Sequence, residues 1–107
     1  PGNHLLYVNG SAIAEEIVVK LNGNWPDYVF EEDYHKPDIQ KWAQFIEENK
    51  HLPGMPSAKQ IEAQEGVEVG ETQRLLLEKI EQLTLIIIEQ QKKVDELHER
   101  LESVENK

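Results

Sequence analysis

The sequence predicts an α+β fold, in which short N-terminal β-strands and a small helical collar surround a long C-terminal α-helix that forms a coiled coil. Apolar residues recur at alternating steps of four and three near the C-terminus, which is the heptad pattern of a coiled coil. Aromatic residues cluster in residues 25–34, and apolar β-formers flank Asn9-Gly10. The chain divides into a strand-forming end, a collar and a coiled-coil helix, at residues 1–22, 23–70 and 71–107.

The heptad seam of the long helix places Ile80 at position a. Its a and d positions are apolar with the exception of Gln90; they are Leu76, Ile80, Leu83, Ile87, Gln90, Val94, Leu97, Leu101 and Val104. Residues 71–107 contain no Pro or Gly, and a helix of that length reaches about 50 Å. A small single-chain domain cannot cover such a helix, so it needs partner helices, most simply copies of itself.

The upper half of this helix is apolar beyond the seam, because residues 85–88 are apolar on every side. Such a segment is buried all round, whereas the outer positions below Glu89 are polar, as in a solvated stalk. We therefore expect an aromatic collar to pack against the upper half; a ligand-stacking platform is the alternative interpretation of the aromatic cluster. The expected packing residues are Trp25, Tyr28, Phe30, Tyr34, Trp42, Ile46, Leu85, Ile86 and Ile88.

The N-terminal end resembles a hairpin, since Asn-Gly between two apolar runs favours a tight turn. The second run, residues 12–19, would also suit a helix. A pair of short strands is not a stable sheet by itself. We expect these strands to pair with a preceding part of the chain or with other subunits, because the chain starts at Pro1-Gly2 without Met and is interpreted as a fragment or a processed piece.

The collar contains two predicted helices. Pro37 is expected at the first helical position, with Asp38 suited to the positive N-terminal end of the helix, and the amphipathic pattern that follows ends near Lys50. Ser57-x-x-Gln60 has the spacing of a capping box, and Gly66 is expected to end the short helix after it as a left-handed cap.

Composition excludes several classes of function. The net charge of the 107 residues is −10, which disfavours nucleic-acid backbones and anionic membranes as partners, and no apolar run is long enough for a membrane span. The chain has no cysteine. The histidines show no metal-ligand spacing, and the serines lie in no hydrolase motif. We expect no catalytic residues, no metal, no cofactor and no enzymatic activity.

Several sequence blocks carry a family resemblance. They include Trp-Pro-Asp-Tyr-Val-Phe at 25–30, His-Leu-Pro-Gly-Met-Pro-Ser-Ala at 51–58 and Leu-Leu-Glu-Lys-Ile-Glu-Gln-Leu-Thr-Leu at 76–85. In these blocks the chain resembles the C-terminal domain of large bacterial surface and tail-fibre-like proteins. In layout it is similar to the intramolecular chaperone domain that ends phage endosialidases and tail spikes.

This resemblance implies a homotrimer that aligns three chains and nucleates folding of the fibre region upstream, on a cell surface or an extracellular phage particle. Residues 1–22 would then be the end of the fibre shaft. Two alternatives stay open. One is a self-cleaving chaperone domain, although the Ser-Asp-x-Arg-x-Lys-like cleavage motif has no counterpart in the chain. The other is an adaptor that grips a different protein through its coiled coil.

The heptads alone do not fix the number of helices. Ile at a with Leu at d favours parallel dimers. Leu77 at e and Ile86 at g widen the apolar face, which suits three helices better than two, and Gln90 would form a polar layer at the axis. We therefore predict a parallel trimer.

Overall fold

In a computed structural model, all regular secondary structure among the described residues is helical. The structure describes residues 2–21, 23 and 25–106; the predictions that involve Pro1, Asn22, Asn24 and Lys107 lie outside the described residues. A 3₁₀ helix is followed by three α-helices. Their bounds are Pro26–Phe30 for the 3₁₀ helix, Ile39–Asn49 for α1, Ala58–Gln64 for α2 and Val69–Glu105 for α3.

The predicted α+β fold with N-terminal strands is wrong, because residues 2–21, 23 and 25–106 contain no β-strand. The backbone bends at Asn9 and Gly10, but the apolar runs on either side of the bend do not pair. Leu5 and Ile13 are fully exposed, so no apolar surface supports a sheet. A two-stranded hairpin without such support is marginal in water, which explains why a good turn signal produces no strands.

The long C-terminal helix is confirmed. α3 contains 37 residues and is therefore about 55 Å long, most of the 73 Å long dimension of the molecule. Residues 91–106 are exposed along their whole length. Only the first half of α3 is covered by the rest of the chain, and its second half projects as a stalk.

The two collar helices begin and end close to the predicted residues, although Pro37 precedes the N-cap of α1 instead of occupying its first helical position. The side chain of Asp38 accepts a hydrogen bond of 2.9 Å from the backbone N–H of Gln40, so Asp38 is the N-cap of α1, and Lys50 ends α1 in a left-handed conformation. The capping box of α2 is confirmed by hydrogen bonds of 2.8 and 3.2 Å between Ser57 and Gln60. The left-handed residue that ends α2 is Glu65 rather than Gly66.

The collar packs on α3 through the 3₁₀ helix. Pro26 and Val29 are fully buried there, and the other buried apolar side chains among the described residues are Trp42 and Ile86. This core is very small for a chain of 12.4 kDa. Small domains with little buried surface are marginally stable unless they associate.

Gly70 lies where the N-terminal segment crosses α3. A Cβ atom at this position would lie 2.6 Å from both Leu21 Cδ2 and Val19 Cγ1, closer than real contacts allow. Glycine therefore permits residues 19–21 to cross the first turn of α3. The N-terminal segment thus meets α3 at the N-terminal end of the helix, opposite the stalk.

Candidate interaction surface

The heptad seam of α3 is open to solvent. Its apolar side chains keep between 38% and 67% of their area exposed in the single chain; they are Leu76, Ile80, Leu83, Ile87, Val94, Leu97, Leu101 and Val104. Gln90, the polar member of the seam, is exposed as well. An exposed apolar stripe of this length on one helix marks an interaction surface.

The collar covers the opposite face of α3 and leaves the seam free. Glu78 accepts a hydrogen bond from the hydroxyl of Tyr28. Gln82, one turn further, donates to the hydroxyl of Tyr34 at 2.7 Å. At the end of the collar nearest the stalk, Lys36 forms an ion pair with Glu89. These α3 residues occupy heptad positions f and c, which point away from a coiled-coil axis.

Lys79 is a buried cation at the centre of the collar, with 6% of its area exposed. Its ammonium group lies 5.3 Å from the ring centre of Trp42 and donates to Gln82 Oε1 at 3.2 Å. The loop at Gly54 closes over it, since a Cβ atom on Gly54 would lie 3.0 Å from the lysine Nζ. One side chain of α3 therefore holds α1 and the loop before α2 together, partly by a cation–π interaction.

Glu81 is a buried carboxylate beside the 3₁₀ helix, and its Oε2 atom has no hydrogen-bond partner among the described residues. Burial raises the pKa of this carboxyl, and the nearby acidic groups of Asp27 and Glu78 raise it further. Its charged form is therefore destabilised in the folded chain. The opposite holds for Glu89, since Lys36 and Lys93 lower the pKa of that carboxyl.

Glu81→Gln is expected to raise the melting temperature at neutral pH, because the substitution removes an unpaired buried charge and keeps the shape of the side chain. The folded state binds the proton of Glu81 more tightly than the unfolded state does. Stability from this group is therefore present near its ordinary pKa of 4.5 and is lost as the pH rises through the raised pKa. The gain from Glu81→Gln should shrink on acidification.

Thermal unfolding of Glu81→Gln at several pH values checks this expectation, and Glu99→Gln, on the exposed stalk, is the matched control. Both proteins keep Glu71 and Glu89, whose lowered pKa values act in the opposite direction, so their contribution cancels in the comparison. Equal melting temperatures of the two variants at neutral pH would show that Glu81 carries no uncompensated charge.

The predicted collar residues differ in how far a single chain covers them. Trp42 and Ile86 are buried, and Tyr34 and Leu85 are half-buried. The remaining members are exposed: Trp25, Tyr28, Phe30, Ile46 and Ile88. Packing of these exposed side chains stays a prediction that depends on neighbouring copies.

The sequence pattern did not predict the burial of Pro26 and Val29 in the 3₁₀ helix. It also did not predict the burial of three residues of α3, which are Lys79, Glu81 and Gln82. They are polar and occupy outer heptad positions, which usually face water, so the pattern gave them no role. The tyrosines of the aromatic cluster were a usable signal, because a phenol hydroxyl near a protein core needs a polar partner. That requirement predicts polar residues on the covered face of α3.

The stalk carries its charges in an ordered pattern. Its described g positions are the basic residues Lys93 and Arg100, and Glu105 occupies an e position. Acidic residues dominate the outer face, and pairs within the helix join Lys93 to Glu89 at 3.3 Å and His98 to Glu102 at 3.0 Å. Exposed pairs of this kind contribute little to the stability of the fold.

Residues 2–21, 23 and 25–106 hold no group of three or more His, Asp or Glu side chains arranged to bind a metal ion. None of the described helices has the length and apolar character needed to cross a membrane. Comparison of the chain with protein-family models, with curated proteins and with solved structures finds no match. The resemblance to fibre-end domains therefore depends on the sequence blocks alone.

Proposed function

We propose that the chain is a non-enzymatic trimerisation domain that joins three copies through α3 and nucleates folding of a fibrous region upstream. The observation that carries the proposal is the division of α3 into two faces. The chain's own collar covers outer positions in the first half of α3, whereas the seam from Leu76 to Val104 stays exposed. A second copy offers the complementary surface, because it presents the same heptad seam.

The charge pattern supports a parallel arrangement of the copies. In antiparallel coiled coils g edges face each other, which would bring Lys93 and Arg100 against the same basic residues. In a parallel bundle g edges face e edges, so Arg100 of one copy approaches Glu105 of the next. The parallel arrangement therefore replaces the repulsion between basic g residues with an attraction between Arg100 and Glu105.

The end at which the N-terminal segment meets the helix supports the role in folding. Residues 19–21 cross the start of α3 at Gly70. In a parallel bundle, three such segments enter at the same end and are held side by side. Chains tethered in this way meet at an effective concentration that can reach about millimolar, so their assembly no longer waits for encounter in solution.

The proposal is tested first by mass and then by function. Sedimentation equilibrium at micromolar concentration is expected to give about three times the chain mass of 12.4 kDa. For the folding role, a collagen-like segment of about ten Gly-Pro-Pro repeats is fused before Gly2, because such a triple helix forms only when three chains meet. Its refolding rate, followed by circular dichroism, should become independent of protein concentration.

The unfused repeat segment is the control, and its refolding should accelerate as its concentration rises. A monomer in sedimentation would contradict the proposal. A monomer that co-purifies with a different protein chain would instead favour the adaptor alternative. If the protein is a trimer but the refolding rate of the fused repeats still depends on concentration, the trimer is supported and the role in folding is contradicted.

A further inference from the structure

Ile88 is an apolar side chain of the collar region that its own chain leaves uncovered. It occupies position b of α3, beside the e edge, and keeps 47% of its area exposed. Ile86, on the other flank at position g, is buried by the collar of the same chain, with 7% exposed. At the level of these two isoleucines the collar therefore covers one flank of the helix and leaves the other open, whereas one heptad earlier it also covers Glu81 at position b.

The start of α1 lies at the covered flank. Residues 36–40 line one groove together with Ile86, Gln90 and Lys93 of α3. Ile39, the first residue of α1, keeps 42% of its area exposed there. Each chain thus carries one uncovered isoleucine at its g edge and another beside its e edge, at similar heights along α3.

The geometry of a parallel bundle brings these two edges together, because the g edge of each helix lies against the e edge of the next. We infer that Ile39 of each copy packs over Ile88 of a second copy, so that three collars interlock around the bundle. The occupant of the open flank is therefore a second copy of this chain. The inference rests on the proposed trimer.

Charge permits this approach. The e residues on either side of Ile88 are Thr84 and Gln91, both neutral, so no charged e residue flanks the contact. In the register that brings Arg100 to Glu105, Lys93 approaches His98 instead. The contact also continues the exposed seam, since Ile87 at position a adjoins Ile88 and is exposed as well. Seam and collar then form one continuous apolar interface, which is the arrangement that stable assemblies show.

Cross-linking tests the contact directly, because the chain contains no cysteine. A protein carrying both Ile39→Cys and Ile88→Cys is treated with a short bis-maleimide and separated under denaturing conditions. Each copy should be joined to the next, which gives covalent trimers. Either single variant should stay a monomer, because equivalent residues of different copies do not meet at these positions. Val104→Cys, in the seam, reports on the bundle itself and should cross-link alone.

The outcomes separate the inference from the proposed function. If Val104→Cys forms cross-links and the double variant does not, the bundle is supported and the interlocked collars are wrong. If neither the double variant nor Val104→Cys forms cross-links, both the interlocked collars and the bundle are wrong. Should the double variant lose helicity, Ile88→Ser replaces it and is expected to weaken association by about tenfold or more. Glu99→Ser, an exposed stalk control, should leave association unchanged, and equal behaviour of these two serine variants would also overturn the contact.

Discussion

Ile87→Asp is expected to convert the proposed trimer into monomers. Ile87 lies at an a position of α3, is exposed in the single chain, and would face its copies at the bundle axis. Three carboxylates would then be buried in one layer without partners, at a cost of several kcal/mol for each ion. Trimer formation should weaken by at least about a thousandfold, and sedimentation equilibrium should show the 12.4 kDa chain.

Ser103→Asp is the matched control, since it adds the same charge at an outer position of the same helix and should leave the trimer intact. Ile87→Asp should also lose the part of its helical circular dichroism that comes from the stalk, because a stalk without neighbours has no tertiary contacts to hold it. If Ile87→Asp sediments like the unchanged protein, the seam is not the surface through which the copies associate.

The sequence predicted α3, and the ends of α1 and α2 to within about two residues, because their signals are local. A heptad repeat free of Pro and Gly specifies a helix whatever surrounds it. The Asp38 cap and the Ser57 capping box satisfy backbone groups within the same turn. These features do not depend on distant parts of the chain, so they can be read from the sequence directly.

The N-terminal strands were predicted wrongly because a strand needs a partner that the sequence does not name. Leu5 and Ile13 have the apolar character of strand residues, yet both are fully exposed. A helix satisfies its own backbone, whereas an extended segment forms a strand only when another segment pairs with it. The turn signal at Asn9-Gly10 predicted a bend correctly and pairing incorrectly.

The polar part of the collar could not be predicted for a different reason. Lys79 and Glu81 lie on α3 at positions that face water in an ordinary coiled coil, and only the tertiary path of the chain covers them. The seam itself was predictable, because apolar periodicity identifies it. The sequence thus located the seam as the candidate surface. It did not predict the polar contacts between the collar and the opposite face of α3.

Trp42→Ala is expected to destabilise the collar by about 3 to 5 kcal/mol, as truncation of large buried aromatic residues does. Trp42 keeps only 8% of its area exposed, and its ring covers the ammonium group of Lys79. Its removal opens a cavity and also leaves a buried cation without its aromatic neighbour. Near-ultraviolet circular dichroism of the collar should therefore melt at a lower temperature, before the helical signal of the stalk is lost.

Trp25→Ala is the informative comparison, because Trp25 belongs to the same aromatic collar but is 52% exposed. Within one chain its truncation should cost about 1 to 2 kcal/mol. If neighbouring copies cover the ring, the cost should grow toward that of Trp42→Ala at protein concentrations that favour the trimer. Trp42→Phe keeps an aromatic face over Lys79 and should recover part of the loss. An unchanged collar transition in Trp42→Ala would mean that the contact between this ring and Lys79 does not hold the collar on α3.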